Sequence, residues 1–244
     1  MLLDLLASIE MTACAAVAIA VLAIGFGDDV PARVRIAAGL AMWFVLVVIL
    51  GGTEALHYQH GLGVPGLGLA VLLPILILGA RVLRSPSLLR GLRAIPLSML
   101  VGVNAIRTFG VMFLILYGLG RLPAPFAPVA GWGDIVVGLA AIPVAWLAYR
   151  KAAGAYATVL IWNIVGLLDL VAAVGLGVTS SPGPLRLIFA EPGAGIMTTL
   201  PWLLIPGFLV PLLMCTHLAV FYRLAGSESP TGKGTRSLRA DQRA

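Results

Sequence analysis

The sequence predicts an all-α, polytopic membrane protein: a single bundle of seven transmembrane helices. Three observations carry this prediction. Of the 244 residues, 60% are hydrophobic and only 11% are charged, and the mean hydropathy is +1.05. A water-soluble domain of this composition would expose far more apolar surface than water tolerates. The apolar residues also gather into seven long stretches, and the basic residues lie between those stretches in an alternating pattern.

Each apolar stretch is long enough to cross a membrane, since about 30 Å of hydrocarbon requires about 20 apolar residues in a helix. The seven windows are residues 4–26, 35–55, 66–83, 95–118, 132–149, 156–177 and 200–222. Interior prolines predict kinks in the third, fifth and seventh windows. Residues 1–225 therefore form the predicted seven-helix domain. Residues 226–244, rich in Ser, Gly and Arg, are expected to be a disordered cytoplasmic tail.

The basic residues predict an orientation. With the N-terminus outside, thirteen Lys and Arg residues fall on the cytoplasmic side, whereas only Arg121 and Arg186 fall outside. The C-terminus is then cytoplasmic, and the net charge of +6 favours anionic membrane lipids as partners. Nucleic acid is not an expected partner, because no basic stretch is interleaved with aromatic residues. The preference for Arg over Lys, with abundant Ala and Gly, suggests a multi-pass protein of a bacterial inner membrane.

Arg107 is the most informative residue. It is the only basic side chain within 13 residues on either side, and it lies halfway along the fourth window. A guanidinium at that depth costs about 2.5 to 3.5 kcal/mol unless it is paired. Two carboxylates, Asp134 and Asp169, also lie in apolar windows. Asp169 is the simplest partner because its predicted depth is similar, and Asp134, near the outer end of its window, is the alternative.

Four further polar residues complete a predicted intramembrane binding cluster. Asn104 shares a helix face with Arg107, and Asn163 accompanies Asp169 in the sixth window. Glu10 lies in the first window and His217 is expected near the inner end of the seventh. Acidic groups outnumber basic ones in the outer half of the predicted bundle, an excess that is suited to proton coupling or cation binding. The slightly favoured interpretation is that Glu10 and Glu54 simply reach water at the membrane surface.

A second constellation is Glu54-x-x-His57-x-x-His60. On a helix, steps of three place such side chains on one face, where they could converge on a metal ion. The glycines and proline that follow His60 should end the helix, however, so two histidines at a wet helix end are the favoured interpretation. We therefore expect no metal and no cofactor. Cys14 and Cys215 lie at opposite predicted depths and should not form a disulfide.

Known seven-span classes can be compared with these residues. A retinal protein needs a lysine in the last helix, but the only lysines are Lys151 and Lys233, both on the cytoplasmic flank. That class is excluded. The length and topology resemble those of the sugar-transporting SWEET group, in architecture alone, because the chain contains no Pro-Gln dipeptide and its first helix contains no proline.

A closer resemblance rests on three motifs of the second half of the chain. They are Gly131-Trp132-Gly133-Asp134, then Trp162-Asn163-x-x-Gly166-x-x-Asp169, then Pro201-Trp202-x-x-x-Pro206 followed by His217. These motifs resemble a group of uncharacterised small bacterial multi-span proteins of the inner membrane. The resemblance implies the same layout and no particular activity.

Three function classes follow from the sequence. The favoured one is binding or transport of a small solute or a proton at the polar cluster. The second is a structural or regulatory membrane protein in which the polar pairs only fix helix packing. The third is an intramembrane enzyme that uses a metal at Glu54 and His57, or acid-base chemistry by Asp134, Asp169 and His217.

Overall fold

The structure is a computed structural model that describes residues 1–26 and 29–227. Every regular element within those residues is helical, and seven helices are long and apolar enough to cross a membrane. In chain order these spans are Leu2–Gly25, Val30–Gly52, Gly63–Arg84, Leu97–Gly118, Phe126–Arg150, Ala155–Ser180 and Ile205–Gly226. The prediction of an all-α bundle with seven membrane-capable helices is confirmed. Residues 228–244, most of the predicted tail, lie outside the described residues.

The fifth span begins at Phe126, six residues before its predicted start at 132. Its first turn contains Pro128, which a helix tolerates there because the first N–H groups have no partner within the helix. The earlier start changes the depth of Asp134. This residue lies eight positions after Phe126, about 12 Å along the helix, and not a few residues inside the helix end.

The fourth span changes its winding around Arg107. Two α-helical segments, Leu97–Gly102 and Val111–Gly118, flank a 3₁₀ segment, Val103–Gly110. A 3₁₀ stretch in the middle of a helix often marks a functional hinge or a strained site. Arg107 therefore lies on the least regular part of its helix.

Glycines let the fourth and fifth spans approach backbone to backbone. A Cβ atom on Gly110 would lie 2.5 Å from the Cβ of Asp134 and 2.8 Å from the carbonyl oxygen of Gly131. One turn further, a Cβ on Gly138 would lie 2.9 Å from the backbone nitrogen of Thr108. Small residues serve this purpose in membrane bundles, where close packing drives helix association.

The seventh span begins later than predicted. Residues 200–203 form turns, Ile205–Leu209 forms a π-helical turn, and the α-helix Val210–Ser227 follows. The prolines of this region remove backbone donors and so delay regular α-helix. The span also continues to Gly226, so His217, twelve residues beyond Ile205 and nine before Gly226, lies in the middle of the span. The expectation that it lies near the inner helix end is wrong.

The fourth and seventh spans form the centre of the bundle. In their most apolar 18-residue windows, 50% and 61% of residues are buried, against 11% and 17% for the second and third spans. The two central spans are also those that carry Arg107 and His217. The polar residues of the sequence are thus concentrated where the helices are best shielded from lipid.

A short helix, Pro86–Ala94, connects the third and fourth spans and has no buried residue. The guanidinium of Arg223 donates to the carbonyl oxygens of Leu92, Arg93 and Ile95. These bonds cap the C-terminal end of the short helix. Arg93 in turn donates to the hydroxyl of Tyr222 at 2.7 Å. The end of the bundle that holds this helix also carries Arg81, Arg84, Arg90, Arg150 and Lys151, and it is called the basic end below.

Candidate functional site

Arg107 is completely buried, and each of its three guanidinium nitrogens contacts protein. Nε donates to Oδ1 of Asp134 at 2.7 Å, and Nη1 donates to the carbonyl oxygen of Gly166 at 3.0 Å. Nη2 donates to Oδ2 of Asp169. The two carboxylates that the sequence offers as alternative partners therefore bind the same guanidinium together.

His217 and Asn163 extend this contact across the bundle. Nη1 of Arg107 lies 3.3 Å from Nε2 of His217, and Nδ1 of His217 lies 2.8 Å from Oδ1 of Asn163. A guanidinium can only donate, so Nε2 must accept and the imidazole proton must sit on Nδ1, which donates to Asn163. The amide of Asn163 also donates to the backbone carbonyl of His217 at 3.1 Å. His217 is thus held as a neutral ring in one tautomer.

These five residues, Arg107, Asp134, Asn163, Asp169 and His217, are called the Arg107 cluster. One guanidinium faces two carboxylates, so the formal charge with both carboxylates ionised is +1 − 1 − 1, or −1. The side chains of Arg107 and Asp134 are 0% and 3% exposed, whereas that of Asp169 is 14% exposed. An uncompensated charge in such surroundings is costly. The excess charge must be balanced by a proton or cation, or must reach the surface through Asp169.

Two glycines make room for the cluster. A Cβ on Gly133 would overlap Oδ1 of Asp169, and a Cβ on Gly166 would lie 2.5 Å from Cε1 of His217. The Asp169 carboxylate and the His217 ring therefore lie directly against helix backbone. Both glycines belong to the motifs that carry the family resemblance. The motifs alone do not show that these glycines make room for the Asp169 and His217 side chains.

Asn104 lies beside the cluster, but its amide nitrogen bonds to residues other than Arg107. Its amide nitrogen donates to the carbonyl oxygen of Leu100 at 2.9 Å and to the hydroxyl of Thr216 at 3.1 Å. Thr216 precedes His217, so Asn104 packs against the same turn of the seventh span. The side-chain oxygen of Asn104 is buried and has no hydrogen-bond partner among the described residues. Such an orphan acceptor in a native core points to a water or ligand donor.

Glu10 is not joined to the Arg107 cluster by any hydrogen bond within the described residues. Its Oε2 atom is buried without a partner there. One turn along the same helix, the thiol of Cys14 donates to the carbonyl oxygen of Ile106 at 3.9 Å. The first span therefore packs on the 3₁₀ segment of the fourth, but Glu10 remains separate from the ion-paired group.

The candidate metal ligands do not lie on a helix, because the second span ends at Gly52. Glu54, His57 and His60 lie in the turns that follow. Nε2 of His60 is 2.7 Å from Oε2 of Glu54, and this hydrogen bond lowers the pKa of Glu54. The ring of His57 stacks on that of His60 with centroids 4.1 Å apart. Across residues 1–26 and 29–227, no three metal-ligating side chains converge, so the helical spacing argument for a metal does not hold.

A third polar group, which sequence reasoning missed, lies at the end of the bundle away from the basic end. Nη2 of Arg121 donates to Oδ1 of Asp4 at 2.7 Å, and Nε1 of Trp202 donates to the same oxygen at 3.1 Å. The guanidinium also lies 5.7 Å from the centroid of the Trp202 ring. These contacts join residues 117 and 198 positions apart in the chain, and no local pattern signals them.

The geometry defines a class: a multi-pass, all-α membrane protein whose last four spans surround a buried, ion-paired polar cluster. The family model described as "Domain of unknown function (DUF8737)" matches residues 64–225, and the chain belongs to this family. The match begins with the third span and contains the whole Arg107 cluster, whereas Glu10 and the Glu54 turn precede it. No curated protein and no solved structure matches the chain.

Proposed function

We propose that this protein is a membrane carrier that couples the movement of a small solute to a proton, with Asp169 as the proton-carrying group. The observation that carries the proposal is the sharing of one buried guanidinium by two carboxylates. A second carboxylate is not needed to neutralise Arg107, and it is costly to keep charged in a low-dielectric interior. Ionisable groups inside membrane bundles typically mark solute or proton pathways.

The two carboxylates differ in a way that assigns their roles. Asp134 is bound to Nε and is only 3% exposed, so it serves as the permanent counterion. Asp169 is 14% exposed and lies against Gly133 at the seam between the fifth and sixth spans, so it can exchange a proton. The charged and titratable groups around it are Arg107 from the fourth span, Asp134 from the fifth and His217 from the seventh.

Protonation of Asp169 also changes what Arg107 can bind. A neutral carboxyl group no longer forms an ion pair, so Nη2 becomes free for a solute while Asp134 still holds Nε. Release of the proton restores the ion pair and expels the solute. The His217 ring, fixed by Asn163, keeps the guanidinium in place throughout.

A packing role is the competing function, and one observation favours it. All three nitrogens of Arg107 already have protein partners, and these partners tie together four spans. Buried ion pairs can serve to fix a unique arrangement of helices. The packing role requires Asp169 to remain ionised whenever the protein is folded, which makes the two functions distinguishable.

Reaction with a carbodiimide distinguishes the carrier function from the packing function. Dicyclohexylcarbodiimide adds to a protonated carboxyl group and ends as an N-acylurea that retains every atom of the reagent. In membranes that contain the protein, peptide mass spectrometry should find this adduct on Asp169, with a yield that falls as pH rises. Asp134 should stay unlabelled, and Asp169→Asn should remove the adduct. Absence of labelling at Asp169 between pH 5 and about 8, in a folded protein, contradicts the proposal and favours packing.

Carrier activity has its own test. Purified protein is reconstituted into vesicles that contain a pH-sensitive dye, and a panel of small solutes is added outside. At least one solute should produce proton movement with the wild-type protein and none with Asp169→Asn. If such a solute moves protons equally well through Asp169→Asn, Asp169 is not the coupling group.

We further propose a bacterial inner membrane with the basic end cytoplasmic and anionic lipids around it. The alternation of basic residues supports this orientation. Reporter fusions after Arg93, Lys151 and Ala244 should register as cytoplasmic, and a fusion at Gly183 should register as external. Identical compartments for the Gly183 and Ala244 fusions would contradict the seven-helix count, and the two compartments reversed would exclude this orientation.

A further inference from the structure

We infer that the solute is a small organic anion of the monocarboxylate type, and that it reaches the Arg107 cluster from the basic end through a cavity with Lys151 at its mouth. This inference rests on the proposed carrier function and adds to it the substrate class and the side of access. Four features of the structure support it: the position of the cavity, its register with the polar residues, its charge and its size.

The cavity has a volume of about 270 Å³ and opens at the basic end. Its walls include Leu97 from the fourth span, Ala148 from the fifth, Val159 from the sixth and Leu224 from the seventh. These are the same four spans that supply the Arg107 cluster. The cavity and the cluster therefore lie along the axis of one four-helix unit.

The register of the helices places the cavity beneath the polar side chains. Val159 precedes Asn163 by four residues, and Leu224 follows His217 by seven. These separations are one and two helical turns, so each pair shares a helix face, about 6 and 10 Å apart along the axis. Asn104, one turn nearer to the basic end than Arg107, offers a buried oxygen without a partner among the described residues. This oxygen can accept a hydrogen bond at a depth between the cavity and the Arg107 cluster.

The charge of the cavity selects an anion. Lys151 is the one charged residue in the lining, and no carboxylate of residues 1–26 or 29–227 forms a salt bridge with it. It ends the fifth span in a left-handed conformation, φ 50°, which directs the chain away from the helix. Its neighbour Arg150 instead lies over the Trp146 ring at 5.0 Å. Two adjacent basic residues therefore have different surroundings, and only Lys151 faces the cavity.

The size and the wall residues of the cavity restrict the class of solute further. Ligand pockets commonly begin at about 300 Å³, so the cavity suits a solute of few atoms. The aliphatic walls fit a short apolar body, and the ammonium group of Lys151 fits one negative charge. At the end of the route, the Nη2 group of Arg107, released by protonation of Asp169, can donate a charged hydrogen bond to the carboxylate of the solute. Proton and anion would then bind together, and the net charge of the cluster would stay at −1, the value it has with both carboxylates ionised.

The test measures binding in the cavity and does not depend on transport. Cys14 and Cys215 are replaced by Ala, and Ala155→Cys introduces one thiol into the cavity wall. The rate of modification by an anionic thiosulfonate and by a cationic one is measured in detergent, with and without propionate, butyrate or benzoate. The corresponding neutral amides serve as matched ligands.

The anionic reagent should react several-fold faster than the cationic one, and a carboxylate should slow modification where its amide does not. Lys151→Gln should abolish both effects and Lys151→Arg should retain them. Arg150→Gln is the matched control and should leave protection by the carboxylate intact. Circular dichroism and size-exclusion profiles of each variant establish that it is folded.

Equal protection by acids and amides, or no protection at all, overturns the inference. Reaction with an apolar maleimide but with neither charged thiosulfonate would show that charged molecules do not enter the cavity, which also overturns the inference. Either result leaves the carbodiimide labelling of Asp169 unaffected, so failure of the substrate class and failure of the proton-carrier proposal are separate outcomes.

Discussion

Replacement of Arg107 by Met should destabilise the protein more than replacement of either carboxylate. The variant leaves two carboxylates, 3% and 14% exposed, without a cation, and breaking a buried pair in this way costs about 3 to 5 kcal/mol. Asp169→Asn leaves the neutral Arg107–Asp134 pair and should cost about 1 kcal/mol or less. Asp134→Asn removes a charged hydrogen bond from a drier position and should cost about 1.5 to 3 kcal/mol.

The free energy of unfolding is measured at pH 7 by equilibrium titration with sodium dodecyl sulfate, followed by tryptophan fluorescence. Because Arg107 contacts both carboxylates, the double variants Arg107→Met/Asp134→Asn and Arg107→Met/Asp169→Asn should each cost less than the sum of their single changes, by about 0.5 to 3 kcal/mol. The coupling should be larger with Asp134. Additivity in both double variants, or equal costs for Arg107→Met and Asp169→Asn, would refute the charge assignment of the cluster.

Three further predictions follow from other contacts. Gly133→Ala should lower the unfolding temperature and reduce carbodiimide labelling because its Cβ would overlap the Asp169 carboxylate, whereas Gly175→Ala, with open space around it, should change neither measurement. The hydrogen bond from Arg186 lowers the pKa of Glu191 below 4.5, so its contribution to loop stability is present above that pH and is lost on further acidification. The protection factors of the loop amides, which correct for the intrinsic pH dependence of hydrogen exchange, should therefore fall with acid in the wild type but not in the Glu191→Gln variant. Elemental analysis of purified protein should find no stoichiometric transition metal, and about one zinc or iron per chain would contradict this.

Several features of the candidate site could not be read from the sequence because they depend on contacts between distant spans. Sequence depth favoured Asp169 over Asp134 as the partner of Arg107, yet Arg107 binds both, since the fifth span begins six residues earlier than its apolar pattern indicates. The apolar pattern places His217 near a helix end, but the seventh span begins at Ile205 and continues to Gly226, so His217 lies in its middle. Glu10 is an acidic residue in an apolar window, like the two aspartates, but no hydrogen bond within the described residues joins it to the Arg107 cluster.

The sequence by itself determined that the chain is a helical membrane protein with seven spans and buried charge, because hydrophobic length and the cost of a guanidinium in lipid are properties of single segments. Tertiary structure alone decided which charges meet and where glycine permits backbone contact. Those outcomes depend on helix ends, winding and packing, which are set by neighbours that no local pattern contains. The arrangement of one arginine between two aspartates is such an outcome, and it is the feature from which the proposed carrier function follows.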